Sequence, residues 1–250
     1  MTKIKFLNCK IDLSRKVFQP RIETEFWVGK AIKDVRMLAP YRTEGSGSGL
    51  KCLNVGMLKV LDIFAGSGCI GIAVLKNIEK ARVDFADISK EAVEQIKINL
   101  KLNKISPKRY KIYKSNLFEK LAPYRNKVSG AGLKGRKYNI IFANPPYVAE
   151  DRISEVQKEV LEKEPKKSLF AGKDGMFWIE KFLKEVKNHL KPAGIFYLEF
   201  DPLQKEKLKE ILKKDYNPPT TLPRQTRAPD FKFNFYKDQF QKFRWLKAIY

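Results

Sequence analysis

An apolar run over 138–143 is followed directly by Asn144-Pro145-Pro146-Tyr147. Proline has no backbone N–H to donate to a sheet, so the sequence predicts a buried strand that ends at the two prolines. The Asn144 side-chain oxygen and the Pro145 carbonyl oxygen would then be neighbouring hydrogen-bond acceptors. Such a pair suits a planar NH2 group, which has two hydrogens to donate. A turn that merely ends a strand is the alternative explanation.

A glycine-rich turn upstream is the second candidate site. The apolar run 60–63 leads into Gly66, Gly68 and Gly71, which have the G-x-G-x-x-G spacing, and Asp87 ends the next predicted strand. Glycine lets the backbone approach a ligand closely, while an acid at the second strand end can bind ribose hydroxyls. The spacing by itself fits NAD, FAD or S-adenosylmethionine.

Three further positions favour S-adenosylmethionine. Asp62 precedes the turn and is expected to hold the loop and the ammonium group of a methionine. Asn116 and Leu117 follow a third predicted strand, where they suit the edge and the face of an adenine. Because ligands bind at the carboxyl ends of parallel strands, these residues and Asn144 are expected to share one site. Taken singly, Asp62 and Asn116 are equally well explained by structural roles.

Alternating β and α patterns supply the frame that positions these residues. The predicted strands cover 58–64, 83–86, 110–113, 138–143 and 194–200. The predicted helices cover 69–78, a segment after Ser89, 174–190 and 203–212, and a closing antiparallel pair covers 231–236 and 243–249. This order predicts an α/β fold with a mostly parallel sheet and helices on both faces.

The chain is predicted to divide into an arm, a linker and a main domain, at 1–40, 41–57 and 58–250. Within the arm, 1–19 suits a β-hairpin or extended stretch, and 26–38 suits a helix that Glu23 or Thr24 would cap. The linker is rich in Gly and Ser, which is typical of a flexible connection.

Charge is the unusual feature of the composition. The chain has 51 Lys and Arg against 28 Asp and Glu, a net charge of +23. Such an excess favours a nucleic acid or the ribosome as a neighbour. Lysines on the polar faces of helices, such as those within 205–214, explain the excess equally well.

Cysteines and apolar runs bound the cellular context. Cys9, Cys52 and Cys69 lack metal-ligand spacing and are joined by a single histidine, His189, so no metal site is expected. The odd number of cysteines predicts reduced thiols. No apolar run reaches the length of a membrane span and no signal-peptide core is present, so a cytoplasmic protein without membrane association is expected.

Several motifs together make the sequence resemble one known family. Pro20-Arg21-x-Glu23-Thr24-Glu25 matches a P-R-x-E-T-E segment, and 144–147 matches N-P-P-Y. Further matches are Glu164-Pro165, Gly172-x-Asp174-Gly175, Leu198-Glu199, and Lys237-Asp238 with Arg244. Over essentially the whole chain, these motifs resemble the HemK/PrmC family of peptide chain release factor N5-glutamine methyltransferases. N-P-P-Y is shared with adenine-N6 methyltransferases, so its coupling to P-R-x-E-T-E carries the specificity.

The resemblance implies a Rossmann-like, class I S-adenosylmethionine-dependent methyltransferase fold, with 58–250 as the catalytic domain. It implies N5-methylation of the glutamine in the Gly-Gly-Gln motif of a release factor, with S-adenosylhomocysteine as product, and a monomer is expected. Cofactor contacts are assigned to Asp62, Phe64, Ala65, Gly66, Ser67, Gly68, Asp87, Asn116, Leu117 and Asn144. Substrate contacts are assigned to Arg21, Glu23, Asn144, Pro145, Pro146 and Tyr147, with Asn144, Pro145 and Tyr147 as catalytic residues.

Four departures from the family pattern affect these assignments. Phe64 stands where members usually carry Gly, which would alter the contact with the methionine portion. Asn116 stands where an aspartate is common and is expected to keep an adenine contact with reversed donor capacity. Gln241 replaces a frequent glycine in the last hairpin. Residues 1–19 supply only the arm that normally follows an N-terminal helical bundle, so that bundle is expected to be lacking and partner docking is the least determined feature.

The expected chemistry follows from the two acceptors. A glutamine amide nitrogen is a poor nucleophile because its lone pair is delocalised into the carbonyl. Asn144 and Pro145 would accept its two N–H bonds and aim the lone pair at the sulfonium methyl group, while Tyr147 packs on the amide plane. No general base is required, and His189 is expected to be a surface or partly buried residue instead.

Other functions fit parts of the sequence. An adenine amino group has the same two hydrogens, so an adenine-N6 methyltransferase acting on DNA or RNA also fits 144–147, and the basic loop 127–137 would contact phosphates. A ribosomal-protein glutamine is another possible acceptor. An assignment as a nicotinamide-dependent oxidoreductase would fit the glycine turn but leave 144–147 unexplained. A non-catalytic cofactor-binding scaffold would need the Asn144 site to be blocked.

Overall fold

Most strands and helices form close to the predicted positions, and the first, fourth and fifth helices are the exceptions among the helices. In the computed structural model, the described residues are 3–38, 56–121, 136–216 and 231–250. Their strands are β1 (Lys3–Phe6), β2 (Cys9–Asp12), β3 (Leu58–Ile63), β4 (Ala81–Asp87), β5 (Tyr110–Lys114), β6 (Tyr138–Ala143), β7 (Leu190–Glu199), β8 (Lys232–Lys237) and β9 (Phe243–Ile249). Their helices are α1 (Ile22–Leu38), α2 (Cys69–Asn77), α3 (Lys90–Leu102), α4 (Lys158–Lys163), α5 (Phe177–Val186) and α6 (Lys205–Tyr216).

The main sheet explains why the predicted site residues come together. Its seven strands run in the order β5-β4-β3-β6-β7-β9-β8. β9 is antiparallel to both β7 and β8, and the other pairs are parallel. From β3 the chain adds β4 and β5 on one side and later adds β6 on the other. This reversal leaves a crevice at the carboxyl ends of β3 and β6, where open α/β sheets bind ligands. The predicted α/β fold is confirmed.

Apolar side chains cover both faces of the sheet. All six residues of β6 are buried, as expected for a central strand with helices above and below it. Val60 of β3 belongs to the core that includes residues of α1, α2 and α3. Its neighbour Leu61 belongs to the core that includes residues of α5 and α6. Successive strand residues point to opposite faces, so the end of β3 is held from both sides.

The predicted N-terminal hairpin is confirmed and packs on the first of these cores. β1 and β2 pair antiparallel, and their side chains Phe6 and Ile11 are fully buried with residues of α2 and α3. Two hydrogen bonds fasten the hairpin to α3. The Asp12 N–H donates to Asn99 Oδ1 at 2.8 Å, and Asn99 Nδ2 donates to the Asp12 carbonyl oxygen at 3.0 Å. The arm is therefore part of the same packed body as the sheet.

The first helix begins earlier than predicted. α1 starts at Ile22 instead of residue 26, because the Glu25 N–H already donates to the Arg21 carbonyl oxygen at 3.0 Å. Glu23 and Thr24 therefore lie in the first turn and do not cap the helix, which corrects the capping prediction. Their position in the turn leaves the Thr24 side chain free to bond elsewhere.

The helix predicted over 174–190 is shorter than expected. α5 begins only at Phe177, because Gly175 has a φ of 74°, outside the right-handed helical region. It ends at Val186, and the 3-10 turn Lys187–His189 leads into β7. Gly175 prevents an earlier start of α5. The chain therefore forms a tight loop next to the sheet edge before the helix begins.

Some predictions fall outside the described residues. These are the linker over 41–57 except its last two residues, Cys52, and the basic loop over 127–137 except its last two residues. Cys9 and Cys69 are buried free thiols. None of the described helices combines the length and apolar character needed to cross a bilayer. The described side chains also include no group of three or more His, Cys, Asp or Glu suited to a metal ion.

Candidate active site

A cavity of about 890 Å³ opens where the parallel strands end. Its lining comes from the loops after β3, β4, β5 and β6 and from the arm before α1. Most of the predicted site residues line it, namely Arg21, Phe64, Ala65, Gly66, Ser67, Asp87, Asn116, Leu117, Asn144, Pro145, Pro146 and Tyr147. Asp62, Gly68 and Glu23 are not among the lining residues. The volume is within the range of pockets that bind small molecules.

Asp87 joins the glycine turn to the loop after β4. Its Oδ2 accepts the Gly66 N–H at 2.8 Å, and its Oδ1 accepts the Ser89 N–H at 2.9 Å. Burial raises the pKa of this carboxyl group, while the two N–H donors oppose that rise. Carboxylate oxygens accept more than one hydrogen bond, so Asp87 is able to hold both loops and still receive hydroxyl donors from a ligand.

Asp62 lies behind the glycine turn. It is 1% exposed, and its Oδ2 accepts the Gly71 N–H at the start of α2 at 2.8 Å. Burial raises the pKa of Asp62 to about 8, against the Gly71 hydrogen bond. Its Oδ1 is buried and has no hydrogen-bond partner in the described part of the chain. These contacts hold the loop, as predicted, whereas a contact with a methionine ammonium group stays a prediction.

Phe64 occupies a backbone position that favours glycine. Its φ is 61°, in the left-handed region where an L-residue pays about 1–2 kcal/mol. The ring packs edge-on against Trp178 at a centroid distance of 6.2 Å and lies 6.5 Å from Phe182. Aromatic contacts of this kind offset the strain, since each contributes about 0.5–1.5 kcal/mol. These contacts explain how a residue other than glycine is held at this backbone position.

Asn116 lines the cavity, and among the described residues its side-chain amide group is bonded at the nitrogen only. Its Nδ2 donates to Glu119 Oε1 at 2.8 Å. Its Oδ1 is buried and accepts no hydrogen bond from any described residue. The amide nitrogen is thus occupied, and the group left for a ligand is an acceptor, as an aspartate would offer. A contact between Asn116 and an adenine stays a prediction.

The tetrapeptide after β6 is held by neighbouring backbone. Val148 pairs with Phe170, through bonds from Val148 N to Leu169 O at 2.9 Å and from Ala171 N to Val148 O at 3.0 Å. Gln204 Nε2 donates to the Tyr147 carbonyl oxygen at 2.9 Å. This turn is therefore not a free strand end, since two separate segments, 169–171 and Gln204, fix it.

Gly175 contacts the same turn more closely than any other residue type would allow. A Cβ built on Gly175 would lie 2.2 Å from the Tyr147 carbonyl oxygen, far inside van der Waals contact. Its φ of 74° is also unfavourable for an L-residue. The G-x-D-G motif therefore supports N-P-P-Y by close backbone packing.

Glu199 is the functional candidate that the sequence analysis missed. It ends β7, is fully buried, and accepts hydrogen bonds from three side chains. Tyr147 Oη donates to Oε1 at 2.8 Å, while Thr24 Oγ1 and Trp27 Nε1 donate to Oε2 at 2.8 and 2.5 Å. Burial raises the pKa of Glu199 and these donors oppose the rise. Burial and the nearby Glu199 also raise the pKa of Tyr147 well above its ordinary value.

Asn144 joins this buried group through Thr24. Its Nδ2 donates to Thr24 Oγ1 at 3.4 Å, which leaves Oδ1 as the free acceptor of the carboxamide. The signal available in the sequence was a carboxylate at the end of an apolar strand, Leu198-Glu199, together with Thr24 in P-R-x-E-T-E. Neither motif by itself predicts the hydrogen bond between Thr24 and Glu199.

Arg21 and Glu164 bring two further motifs together. Arg21 Nη2 lies 2.7 Å from Glu164 Oε1, and the Glu164 side chain is only 6% exposed. Burial raises the pKa of Glu164, and the Arg21 guanidinium opposes that rise. Arg21 also lies over the Phe18 ring, 4.8 Å from its centroid. Because both neighbours hold it, the guanidinium is fixed at the wall of the cavity.

His189 is structural in its contacts. Its ring is buried and stacks on Phe118 with a centroid distance of 4.2 Å, and its Nδ1 lies 3.3 Å from the Arg136 carbonyl oxygen. Burial lowers the pKa of the imidazole. It is not among the residues that line the cavity.

Known proteins with similar sequences point to one class of enzyme. Residues 44–184 match the family described as methyltransferase small domain. The release factor glutamine methyltransferase of Thermodesulfovibrio yellowstonii is 30% identical over 206 residues, which are 82% of this chain and 63% of that protein. The release factor glutamine methyltransferase of Borreliella burgdorferi is 30% identical over 219 residues, which are 87% of this chain and 65% of that protein. The chain thus spans less than two thirds of the length of these relatives.

Solved structures agree on the fold. The human methyltransferase 10 domain containing protein superimposes with a TM-score of 0.56 at 15% identity, over 96% of this chain and 87% of that chain. At this identity the likeness concerns the architecture alone. It supports the Rossmann-like methyltransferase sheet that the strand order already indicates.

Proposed function

Because this chain belongs to the methyltransferase small domain family, we propose that it methylates N5 of the glutamine in the Gly-Gly-Gln motif of peptide chain release factors, using S-adenosylmethionine. The observation that carries the proposal is the Asn144 carboxamide, which is turned so that its oxygen is the free acceptor in the cavity. The relatives named release factor glutamine methyltransferase support this choice of acceptor.

The donor set of the cavity fits S-adenosylmethionine. The unpaired, buried Asn116 oxygen suits the amino group of adenine, and the buried Leu117 side chain suits its face. The Asp87 carboxylate suits ribose hydroxyls. The Phe64–Ser67 turn would hold the methionine portion. When bound, this cofactor supplies an electrophilic methyl group on a sulfonium sulfur.

Asn144 and Pro145 would hold the acceptor nitrogen. The Asn144 Oδ1 and the Pro145 carbonyl oxygen accept its two N–H bonds, which favours a pyramidal nitrogen with a directed lone pair. Tyr147 packs on the amide plane and excludes water. The buried Glu199 carboxylate, held by the Tyr147 hydroxyl at 2.8 Å, favours positive charge that develops at the nitrogen. No general base is needed, because the methylated nitrogen is strongly acidic and loses its proton to water.

Arg21 is proposed to contact the acceptor protein. Its guanidinium lines the cavity and is held by Glu164 and the Phe18 ring. Guanidinium donors in a fixed position suit backbone carbonyl oxygens of a loop that enters the site. Glu23 is left out of this contact set because it does not line the cavity.

A nucleic-acid acceptor is the second candidate, and one observation favours it. Exposed Lys16, Lys90 and Lys114 line the cavity, which suits a phosphate backbone at its mouth. An adenine amino group offers Asn144 and Pro145 the same two hydrogens as a glutamine amide. A ribosomal-protein glutamine combines both features, since RNA surrounds it.

The test is transfer of a labelled methyl group from S-adenosylmethionine to a purified release factor, ribosomes, RNA and DNA in parallel. We expect label on the Gly-Gly-Gln glutamine of the release factor, located by mass spectrometry. Asn144→Ala should lower turnover by about 100- to 1000-fold while the cofactor dissociation constant stays within twofold. Asn77→Ala, an asparagine that bonds Asn8 on the surface, is the matched control. Label in RNA or DNA alone, or full turnover of Asn144→Ala, would overturn the proposal.

A further inference from the structure

Four side chains from three distant parts of the chain form one connected, buried hydrogen-bond chain. Trp27 and Thr24 lie in α1, Glu199 ends β7, and Asn144 follows β6. Trp27, Thr24 and Glu199 are each at most 1% exposed. Thr24 is the link, because it bonds Glu199 at 2.8 Å on one side and Asn144 at 3.4 Å on the other.

The Glu199 carboxylate sets the direction of the bonds in this chain, because it has no hydrogen to donate and accepts from Trp27, Thr24 and Tyr147. An indole N–H donates and cannot accept, so Glu199 Oε2 must be an acceptor where Trp27 meets it. The Thr24 hydroxyl has a single hydrogen, and the same Oε2 receives it. Towards Asn144, the Thr24 oxygen can then only accept. Only the NH2 end of the Asn144 carboxamide can face it.

The opposite orientation of Asn144 is disfavoured by this arrangement. It would place Oδ1 against Thr24 Oγ1, two acceptors with no hydrogen between them. It would also point an NH2 group at an incoming NH2 group. A carboxamide held in this orientation has its oxygen available as an acceptor. It therefore suits a substrate amino group, which donates, better than a substrate carbonyl group.

We infer that Thr24 is a positioning residue, held by Glu199 and Trp27, which keeps the Asn144 oxygen available to the acceptor amino group. This inference rests on the proposed role of Asn144 and deepens it. Its specific consequence is that P-R-x-E-T-E acts on the reaction through its threonine, whose hydroxyl no substrate needs to contact.

The central experiment replaces the hydroxyl and then restores it. Thr24→Val keeps the shape and removes both bonds, whereas Thr24→Ser keeps the hydroxyl. With the release factor as acceptor, we expect Thr24→Val to lower kcat/KM for the acceptor about five- to tenfold, the worth of one hydrogen bond. Thr24→Ser should stay within twofold of the parent chain. The cofactor dissociation constant, measured by Trp fluorescence, should be unchanged in both variants.

A double-mutant cycle separates positioning from general destabilisation. If Thr24 acts through Asn144, adding Thr24→Val to Asn144→Ala should change single-turnover rates by less than twofold. Full additivity, or a Thr24→Val variant as active as the parent chain, would overturn the inference while leaving the proposed function standing. Full activity of Asn144→Ala would instead overturn the proposed function.

Thermal unfolding of the same four proteins supplies a readout that needs no acceptor. A real Thr24–Asn144 bond predicts that the double variant loses less Tm than the sum of the two single variants, by about 1–3 °C. Strict additivity of the Tm losses would contradict the bond itself. Should Thr24→Val fail to fold, the Thr24→Ala variant with Thr24→Ser as its control carries the same cycle.

Discussion

Two asparagines line the same cavity, and each offers its oxygen because its nitrogen is already bonded. Asn116 is oriented by Glu119, an exposed residue only three positions later. Asn144 is oriented by Thr24, which is 120 positions away and buried. The Asn116 amide is thus oriented by a local contact at the cofactor end of the proposed site. The Asn144 amide is oriented by long-range packing at the acceptor end.

The contrast extends to the surroundings of each residue. Around Asn116, the Ser115 hydroxyl bonds the Leu117 carbonyl oxygen at 2.9 Å, again within one short loop. Around Asn144, the supporting groups come from α1, β7 and the loop before α5. Cofactor binding should therefore tolerate changes in distant segments, while methyl transfer should be sensitive to them. Of the four predictions that follow, those at Gly175 and Asn116 test this division directly, and the other two test stability.

Gly175→Ala should have the largest effect. The added Cβ would meet the Tyr147 carbonyl oxygen at 2.2 Å, so the turn that carries Asn144 must shift. We expect turnover to fall about 100-fold, with the cofactor dissociation constant within threefold of the parent value. Steady-state kinetics and equilibrium binding measure the two quantities.

Gly172→Ala is the matched control for that clash. Its φ of 78° imposes similar backbone strain, but the nearest atom to the new Cβ is Phe177 Cβ at 3.7 Å. It should cost stability and leave most of the turnover. Equal losses of turnover in both variants would show that strain, and not the contact with Tyr147, explains the effect.

Asp62→Asn should change how stability depends on pH. Burial raises the pKa of Asp62 to about 8, so the folded state favours the protonated carboxyl group. The contribution of the protonated Asp62 carboxyl group to the free energy of unfolding is complete below the unfolded-state pKa near 4. This contribution is lost as pH rises through about 8. The parent chain should lose about 2 kcal/mol relative to Asp62→Asn between pH 6 and pH 8. Denaturant unfolding at several pH values measures this, and parallel pH curves for both proteins would refute it.

Asn116→Leu should weaken cofactor binding about tenfold, the worth of one hydrogen bond to a buried acceptor. Asn116→Asp keeps an acceptor oxygen but loses the bond to Glu119 and sets two carboxylates side by side, so it should cost about two- to threefold. Glu119→Ala frees the Asn116 nitrogen and should cost about two- to threefold, because the exposed pair orients the amide only weakly. Turnover at saturating cofactor should stay near the parent value in all three. Binding titrations decide, and a large loss of turnover would break the division of the site into two ends.

Phe64→Gly and Gln241→Gly should have the smallest effects and opposite signs. Both residues have a positive φ, 61° and 63°. Phe64→Gly loses the ring contacts with Trp178 and Phe182 and should destabilise by about 1 kcal/mol. Gln241 is exposed in the β8–β9 turn, so its replacement should stabilise by about 0.5 kcal/mol. Urea denaturation compares them, and two changes of the same sign would contradict this account.

Sequence patterns were sufficient to predict the strands of the main sheet and the turns at their ends. Buried runs such as 138–143 have no alternative to a central strand, and two prolines or a G-x-G spacing stop a strand at a definite residue. The Asn116–Glu119 hydrogen bond is also local, because it joins residues three positions apart, although the sequence analysis did not predict it. These features depend on residues a few positions apart, where steric rules are strict.

Only the tertiary structure decided which way the polar groups point at the acceptor end. Thr24 was predicted to cap a helix, and Glu199 had no assigned role, yet they meet across 175 positions. The direction of a hydrogen-bond chain depends on all its members at once, and here the Glu199 carboxylate sets it for Asn144 through Thr24. Periodicity and spacing identify which residues reach a sheet edge, but donors and acceptors are assigned only when distant segments are packed together.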